Sequence, residues 1–172
     1  LVALAALRTG VDLAYVAAPE RTAYAISSFS PDLITIKLSG EHFASQNVGQ
    51  LKGMIAKGTA VVAGPGLGTH KDSFIGVEEL LKVLEEFRKP TLLDADALKA
   101  FGAIRRKVGF PLVVTPHSGE FEVVAGRKPS TELHARIEDV KSLAKETGSV
   151  VLLKGHTDII SDGERVKLNL TG

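Results

Sequence analysis

The sequence predicts an α/β protein built on a mostly parallel central sheet with helices on both faces and an antiparallel hairpin at one edge. Two observations carry this. Short apolar runs that do not alternate with polar residues recur between helical stretches, the pattern of strands buried on both sides. The last two runs flank Asp162-Gly163, a hairpin turn signal, and so add an antiparallel edge.

The elements follow in order. Residues 1–8 read as the end of a buried helix closed by Gly10. Residues 14–17 form a short strand ending at Pro19. Residues 33–38 form another, near an edge because Lys37 interrupts its apolar run. Residues 48–56 are helical, and 60–63 are a continuous apolar strand running into glycines. Asp72 or Ser73 caps a helix that extends to residue 88, with Ile75, Leu80, Leu81, Leu84 and Phe87 on one face. Residues 91–93 are a strand and 97–101 a short helix. The strand 112–114 precedes Thr115-Pro116, and a helix starts at Ser118 or Gly119 and reaches residue 125. Ser130 caps a long helix, 132–147, which Gly148 ends. Residues 150–153 are a strand, and 157–160 and 165–168 are the hairpin.

The chain has 172 residues, of which 44% are hydrophobic and 24% charged, so a disordered or fibrous chain is excluded. Lys and Arg number 21 against 20 Asp and Glu, for a formal charge of +1. Without a basic excess, neither a nucleic-acid nor a membrane-surface partner is expected. No run of about 18 apolar residues suggests a membrane span. Cysteine is absent, which removes disulfides, thiolate nucleophiles and cysteine-ligated metals. Asn and Gln occur twice each and Met once, a depletion that leans towards a heat-adapted source. The chain begins in mid-pattern at Leu1 and stops at Thr171-Gly172 without a closing helix. It is expected to be a single partial domain, residues 1–172, cut at both ends.

In parallel sheets ligands bind beyond the carboxyl ends of the strands. Four unusual segments fall there: Gly64-Pro65-Gly66-Leu67-Gly68, Asp94-Ala95-Asp96, Thr115-Pro116-His117-Ser118-Gly119-Glu120 and Lys154-Gly155-His156-Thr157. They would line one crevice. The glycines let a backbone approach a phosphate or a ring, or simply make a tight strand-to-helix turn. The dinucleotide fingerprint fails at Thr69, and no phosphate-loop pattern is present. Asp94 suits Mg²⁺ or a hydroxyl, whereas Asp96 reads as a helix cap. His117, on a rigid turn, can hydrogen-bond a ligand or move a proton, or be a solvated loop residue. Glu120 lies in a first helical turn, where the dipole favours an anion. Lys154 can neutralise a phosphate, with Gly155 leaving room for a base or ribose, or its stem can snorkel. His156 and Asp158 read from spacing as loop polar groups. His42, His70 and His134 are scattered and form no metal-ligand pair on one helix face. Ser118 lacks the surroundings of a hydrolase nucleophile.

Taken in order, these segments, with Leu153-Lys154-Gly155 leading on to Asn169-Leu170-Thr171-Gly172, resemble the ADP/ATP-dependent NAD(P)H-hydrate dehydratases, repair enzymes for hydrated nicotinamide cofactors. Residues 3–20 are similar to the helix and strand that lead into that family's Val-x-Ala-x-Pro-Glu segment, and the family's first strand would precede Leu1. The resemblance implies a ribokinase-like three-layer α/β/α fold. It implies dehydration of the S epimer of NADHX or NADPHX, with ADP or ATP as co-substrate, Mg²⁺ as cofactor, and a homo-oligomer in the cytoplasm. By position, Gly66 and Gly68 would lie along the NAD(P)HX, and His117, Ser118 and Glu120 would contact its hydrated nicotinamide nucleotide. Lys154, Gly155, His156, Thr157, Asp158 and Asn169 would take the adenine nucleotide, and Asp94 would face the polyphosphate and metal. The family's catalytic aspartate would follow Gly172. A small-molecule kinase of the same fold, or a non-catalytic nucleotide-binding module, are the competing readings.

Overall fold

A computed structural model describes residues 1–104 and 106–171. The chain runs α1 (Val2–Arg8), β1 (Tyr15–Pro19), α2 (Glu20–Ser27), β2 (Ile34–Leu38), α3 (Ser45–Lys57), β3 (Val61–Ala63), α4 (Lys71–Glu86), β4 (Thr91–Leu93), α5 (Asp96–Ile104), β5 (Leu112–Val114), α6 (Ser118–Ala125), α7 (Leu133–Thr147), β6 (Val150–Leu153), β7 (Asp158–Ser161) and β8 (Val166–Asn169).

Strands β3 to β8 form one six-stranded sheet in sequence order. β3 through β6 are parallel, and β7 and β8 return antiparallel, as expected for the edge hairpin. Parallel strands added one after another in the same direction, joined by right-handed crossovers, place their connecting helices on the same face. That face is the core: Leu93, Val114, Val151 and Leu153 are fully buried, in one cluster with Leu81 and Leu84 of α4, Phe101 of α5, Phe121 of α6 and Leu143 of α7. The alternate residues face the other way and are only partly covered. Val62 is 47% exposed, and Leu92, Val113 and Leu152 are half-buried. β1 and β2 pair in parallel as a separate two-stranded sheet, with α2 packed on both. Leu38 at the end of β2, with Phe43 after it, joins the main core.

Several local expectations are corrected. α1 buries no residue, so it is not the end of a buried helix. α2 was not legible, because only Ala23 of its eight residues is buried. α4 is capped by His70, whose Nδ1 accepts the Asp72 N–H at 3.3 Å, rather than by Asp72 or Ser73. Ile75 is exposed and lies off the apolar face. α7 is capped by Glu132, whose carboxylate accepts the N–H groups of His134 and Ala135 at 2.9 and 2.8 Å, whereas the backbone N–H of Ser130 donates to Asp139. Both strands of the hairpin start one residue later than their pattern suggested.

Candidate functional site

Because β3, β4, β5 and β6 are neighbours and parallel, their carboxyl ends lie side by side. The four sequence segments are thereby brought side by side at one end of the sheet. Backbone bonds lock the row: Asp94 N–H donates to the Ala63 carbonyl at 3.1 Å, Thr115 N–H to Leu93 at 3.2 Å and Lys154 N–H to Pro116 at 2.8 Å.

The glycine segment turns immediately after β3, with Leu67 N–H bonded to the Gly64 carbonyl at 3.0 Å. Gly64 has φ +128, and a Cβ there would sit 1.7 Å from the carbonyl oxygen of Asp94. Only glycine lets the first and second segments touch. Gly66 and Gly68 face open space. Asp96 does not act as the expected cap. It is the first residue of α5, and its carboxylate accepts the Gly68 N–H at 3.0 Å and pairs with Lys99 at 2.8 Å. It therefore holds the glycine loop in place.

At the centre stands a charged cluster. Lys154 Nζ donates to Asp94 Oδ1 at 2.7 Å and lies 3.8 Å from Glu120 Oε2. Thr115 Oγ1 donates to the same Asp94 oxygen at 2.9 Å. Burial works to raise the pKa of Asp94, but the hydrogen bonds from Lys154 and Thr115 and the charge of Lys154 outweigh it and hold the carboxyl below its ordinary value. Glu120 is only 8% exposed.

His117 and Glu120 form a reciprocal cap at the start of α6. His117 Nδ1 accepts the N–H groups of Gly119 and Glu120 at 3.0 and 3.3 Å, and Glu120 Oε2 accepts the His117 N–H at 2.9 Å. The imidazole is therefore oriented by the helix terminus, and the Nε2 edge of the exposed ring lies 3.4 Å from Glu120 Oε1. Glu120 answers both the dipole and the histidine.

The last segment follows β6. Asp158 Oδ1 accepts the Gly155 N–H at 3.0 Å, and Asn169 Nδ2 donates to Asp158 Oδ2 at 3.0 Å. The loop is thus tied across the hairpin, and Asn169 Oδ1 in turn accepts from Thr171. The Asp158 carboxyl is held below its ordinary value by the Gly155 N–H and by Asn169. Asp158 and Asn169 are structural partners rather than stray loop groups. His156 and Thr157 sit beside them without side-chain hydrogen bonds among the described residues. Gly172 lies outside the described residues.

Sequence reasoning missed two contributors. Thr115, a loop residue by its pattern, buttresses Asp94. Arg136 of α7 reaches the same end of the sheet, donating to Ser118 Oγ at 2.8 Å and to the Ser130 carbonyl at 3.1 Å. No local pattern marks it, because its contacts with Ser118 and Ser130 depend on how the start of α7 packs beside the start of α6. His42 and His70, scattered in sequence, stack with ring centroids 4.2 Å apart. Among the described residues no group of three His, Cys, Asp or Glu is placed to hold a metal ion. A cleft of about 670 Å³, lined in part by Lys107, Lys145 and Asp162, lies at the opposite, amino ends of β5 and β6, away from the four segments. No described helix is long and apolar enough to cross a membrane.

Comparison with known proteins accords with this geometry. The bifunctional NAD(P)H-hydrate repair enzyme Nnr of Pyrobaculum aerophilum is 44% identical over 171 residues, 99% of this chain but 34% of that protein. The chain thus spans about a third of that relative's length. A crystal structure of the ADP/ATP-dependent NAD(P)H-hydrate dehydratase from Bacillus subtilis, co-crystallised with ATP and Mg²⁺, superposes with a TM-score of 0.73 at 24% identity, covering 99% of this chain and 57% of that one. A ribokinase-like superfamily protein from Enterococcus faecalis superposes with a TM-score of 0.78 at 17% identity, over 96% of this chain and 55% of that one. The fold is ribokinase-like. A family model described as NAD(P)H-hydrate dehydratase matches residues 1–172, and the chain belongs to that family.

Proposed function

We propose that the complete protein to which this chain belongs repairs hydrated nicotinamide nucleotides. It would dehydrate the S epimer of NADHX or NADPHX to NADH or NADPH at the expense of ADP or ATP. The observation that supports this most is the meeting of four strand-end segments at one end of the sheet, in a chain of this family. Residues 1–172 are read as part of one domain, acting in the cytoplasm as a homo-oligomer.

Hydroxide is a poor leaving group from the hydrated ring. Transfer of a phosphoryl group to the ring hydroxyl forms a new O–P bond and breaks the O–P bond to AMP or ADP; the hydroxyl proton passes to a base, the aspartate that the family resemblance places after Gly172, and the hydroxyl becomes a phosphate ester. The ring nitrogen lone pair then expels phosphate, and loss of a ring proton restores the double bond. The chain's part is to bind, orient and neutralise. Gly66 and Gly68 offer open backbone along the nicotinamide nucleotide. The Nε2 edge of His117, with Ser118 and Glu120 beside it, meets the hydrated ring. The loop from Lys154 to Asp158, braced by Asn169, takes the adenine nucleotide.

Mg²⁺ fits the donor set in one respect: a single ammonium faces two carboxylates, which suits a cation. Without a three-ligand group among the described residues, Asp94 would hold the ion chiefly through nucleotide phosphates and water. Bound there, it would offset charge on the transferring phosphoryl group. The experiment is consumption of chemically prepared NADHX by the complete protein, comparing both epimers and comparing ADP with ATP. Loss of the S epimer only when nucleotide is present supports the reading. Phosphorylation of a vitamin alcohol with NADHX left untouched would make the protein a small-molecule kinase instead.

A further inference from the structure

The cation expected to meet nucleotide phosphate is Lys154, yet its ammonium is already engaged by Asp94 at 2.7 Å, with Glu120 at 3.8 Å. A phosphate arriving at that ammonium also meets two carboxylates. The Gly155 N–H, the other obvious donor, is committed to Asp158. Arg136 differs on both counts. Its partners are neutral, the Ser118 hydroxyl and the Ser130 carbonyl, and no carboxylate pairs with it among the described residues. Those two bonds use two of five guanidinium N–H groups. It also lies over the nucleotide loop: a Cβ placed on Gly155 would come 3.7 Å from Arg136 Nη2. Its backbone is fixed in the first turn of α7, where Glu132 holds the helix start.

We propose that Arg136 binds a phosphate group of the adenine nucleotide at Gly155, and that Lys154 is held by Asp94 and Glu120 instead of serving as that ligand. This rests on the reading that the loop from Lys154 to Asp158 takes the nucleotide. A guanidinium presents paired N–H groups to two phosphate oxygens, and Ser118 and Ser130 orient the fork before the ligand arrives. Because Ser118 sits on the nicotinamide side, Arg136 also connects the two binding segments.

The test measures ADP affinity calorimetrically for the complete protein and for R136K and R136Q. The first variant keeps the charge and the second keeps a neutral donor for Ser118. Thermal melts without ligand check that each is folded. R136Q is expected to lose about tenfold or more in ADP affinity, and R136K only a few-fold. Retention of wild-type affinity by R136Q overturns the proposal, and so does an equal loss in both variants, which would mark Arg136 as structural. Failure of the unaltered protein to bind ADP overturns the nucleotide-loop reading itself, a result distinct from either.

Discussion

Replacing Gly64 by alanine tests whether the glycine segment is truly pressed against the Asp94 segment. The added Cβ would lie 1.7 Å from the Asp94 carbonyl oxygen and 3.0 Å from the Ala97 Cβ. The backbones must part by about 1.5 Å to restore ordinary contact. Two costs combine: about 1–3 kcal/mol for a non-glycine residue at φ +128, and about 1–3 kcal/mol for overpacking against backbone. The reduced freedom of the unfolded chain returns about 0.4–1 kcal/mol. The net is about 1–5.6 kcal/mol, which for a chain of this size lowers Tm by roughly 2–20 °C. Gly66→Ala is the control. Its φ is +77 but nothing lies within 4 Å of the new Cβ, so only conformational strain of about 1–2 kcal/mol remains, less the same entropic return. Thermal and urea unfolding followed by circular dichroism read both. Near-equal stabilities of the two variants would refute the close approach of Ala63-Gly64 to Asp94.

Other outcomes follow from the same geometry. His117→Ala should weaken NAD(P)HX binding and also cost about 1 kcal/mol of stability through the lost helix cap. His117→Asn should recover the stability but not the affinity, as titration and melting of the two variants will show. Asp94→Asn should raise the Mg²⁺ concentration needed for half-maximal turnover about tenfold. It should also flatten the acid limb of stability, because a depressed carboxyl pKa gives stability that is present above its unfolded value and lost as pH falls through the folded one. Asp162, held at about 2 by the N–H groups of Arg165 and Glu164 and by the Arg165 guanidinium, should keep the β7–β8 turn closed down to that range. A pH titration of melting should lose this contribution between about 4 and 2, and Asp162→Asn should remove that part of the dependence.

Much of the fold was legible because the strands of the main sheet are short apolar runs that tertiary context had no reason to override. The glycine, Asp94, His117 and Lys154 segments were legible because each follows such a run. What failed was local chemistry of a less common kind. His70 and His117 cap helices through ring nitrogen, and Glu132 caps through a long side chain, so the short polar residues nearby were favoured instead. α2 begins directly at Glu20 after Pro19, without a short polar cap, and buries only Ala23. The separate pairing of β1 with β2 is a matter of long-range register that no local pattern encodes. The ion pair of Lys154 with Asp94 joins residues sixty positions apart, and Arg136 meets Ser118 only because α7 folds back past α6. Lys154, a candidate phosphate ligand in the sequence, pairs in three dimensions with Asp94 at 2.7 Å, a contact no local pattern encodes.

The most direct measurement is product stoichiometry: the complete protein incubated with the S epimer of NADHX and ADP, with NADH, AMP and inorganic phosphate quantified together. Equal amounts of all three are expected, with none formed when ADP is omitted. NADH appearing without nucleotide cleavage, or AMP and phosphate released while NADHX persists, would contradict a site that couples phosphoryl transfer to dehydration.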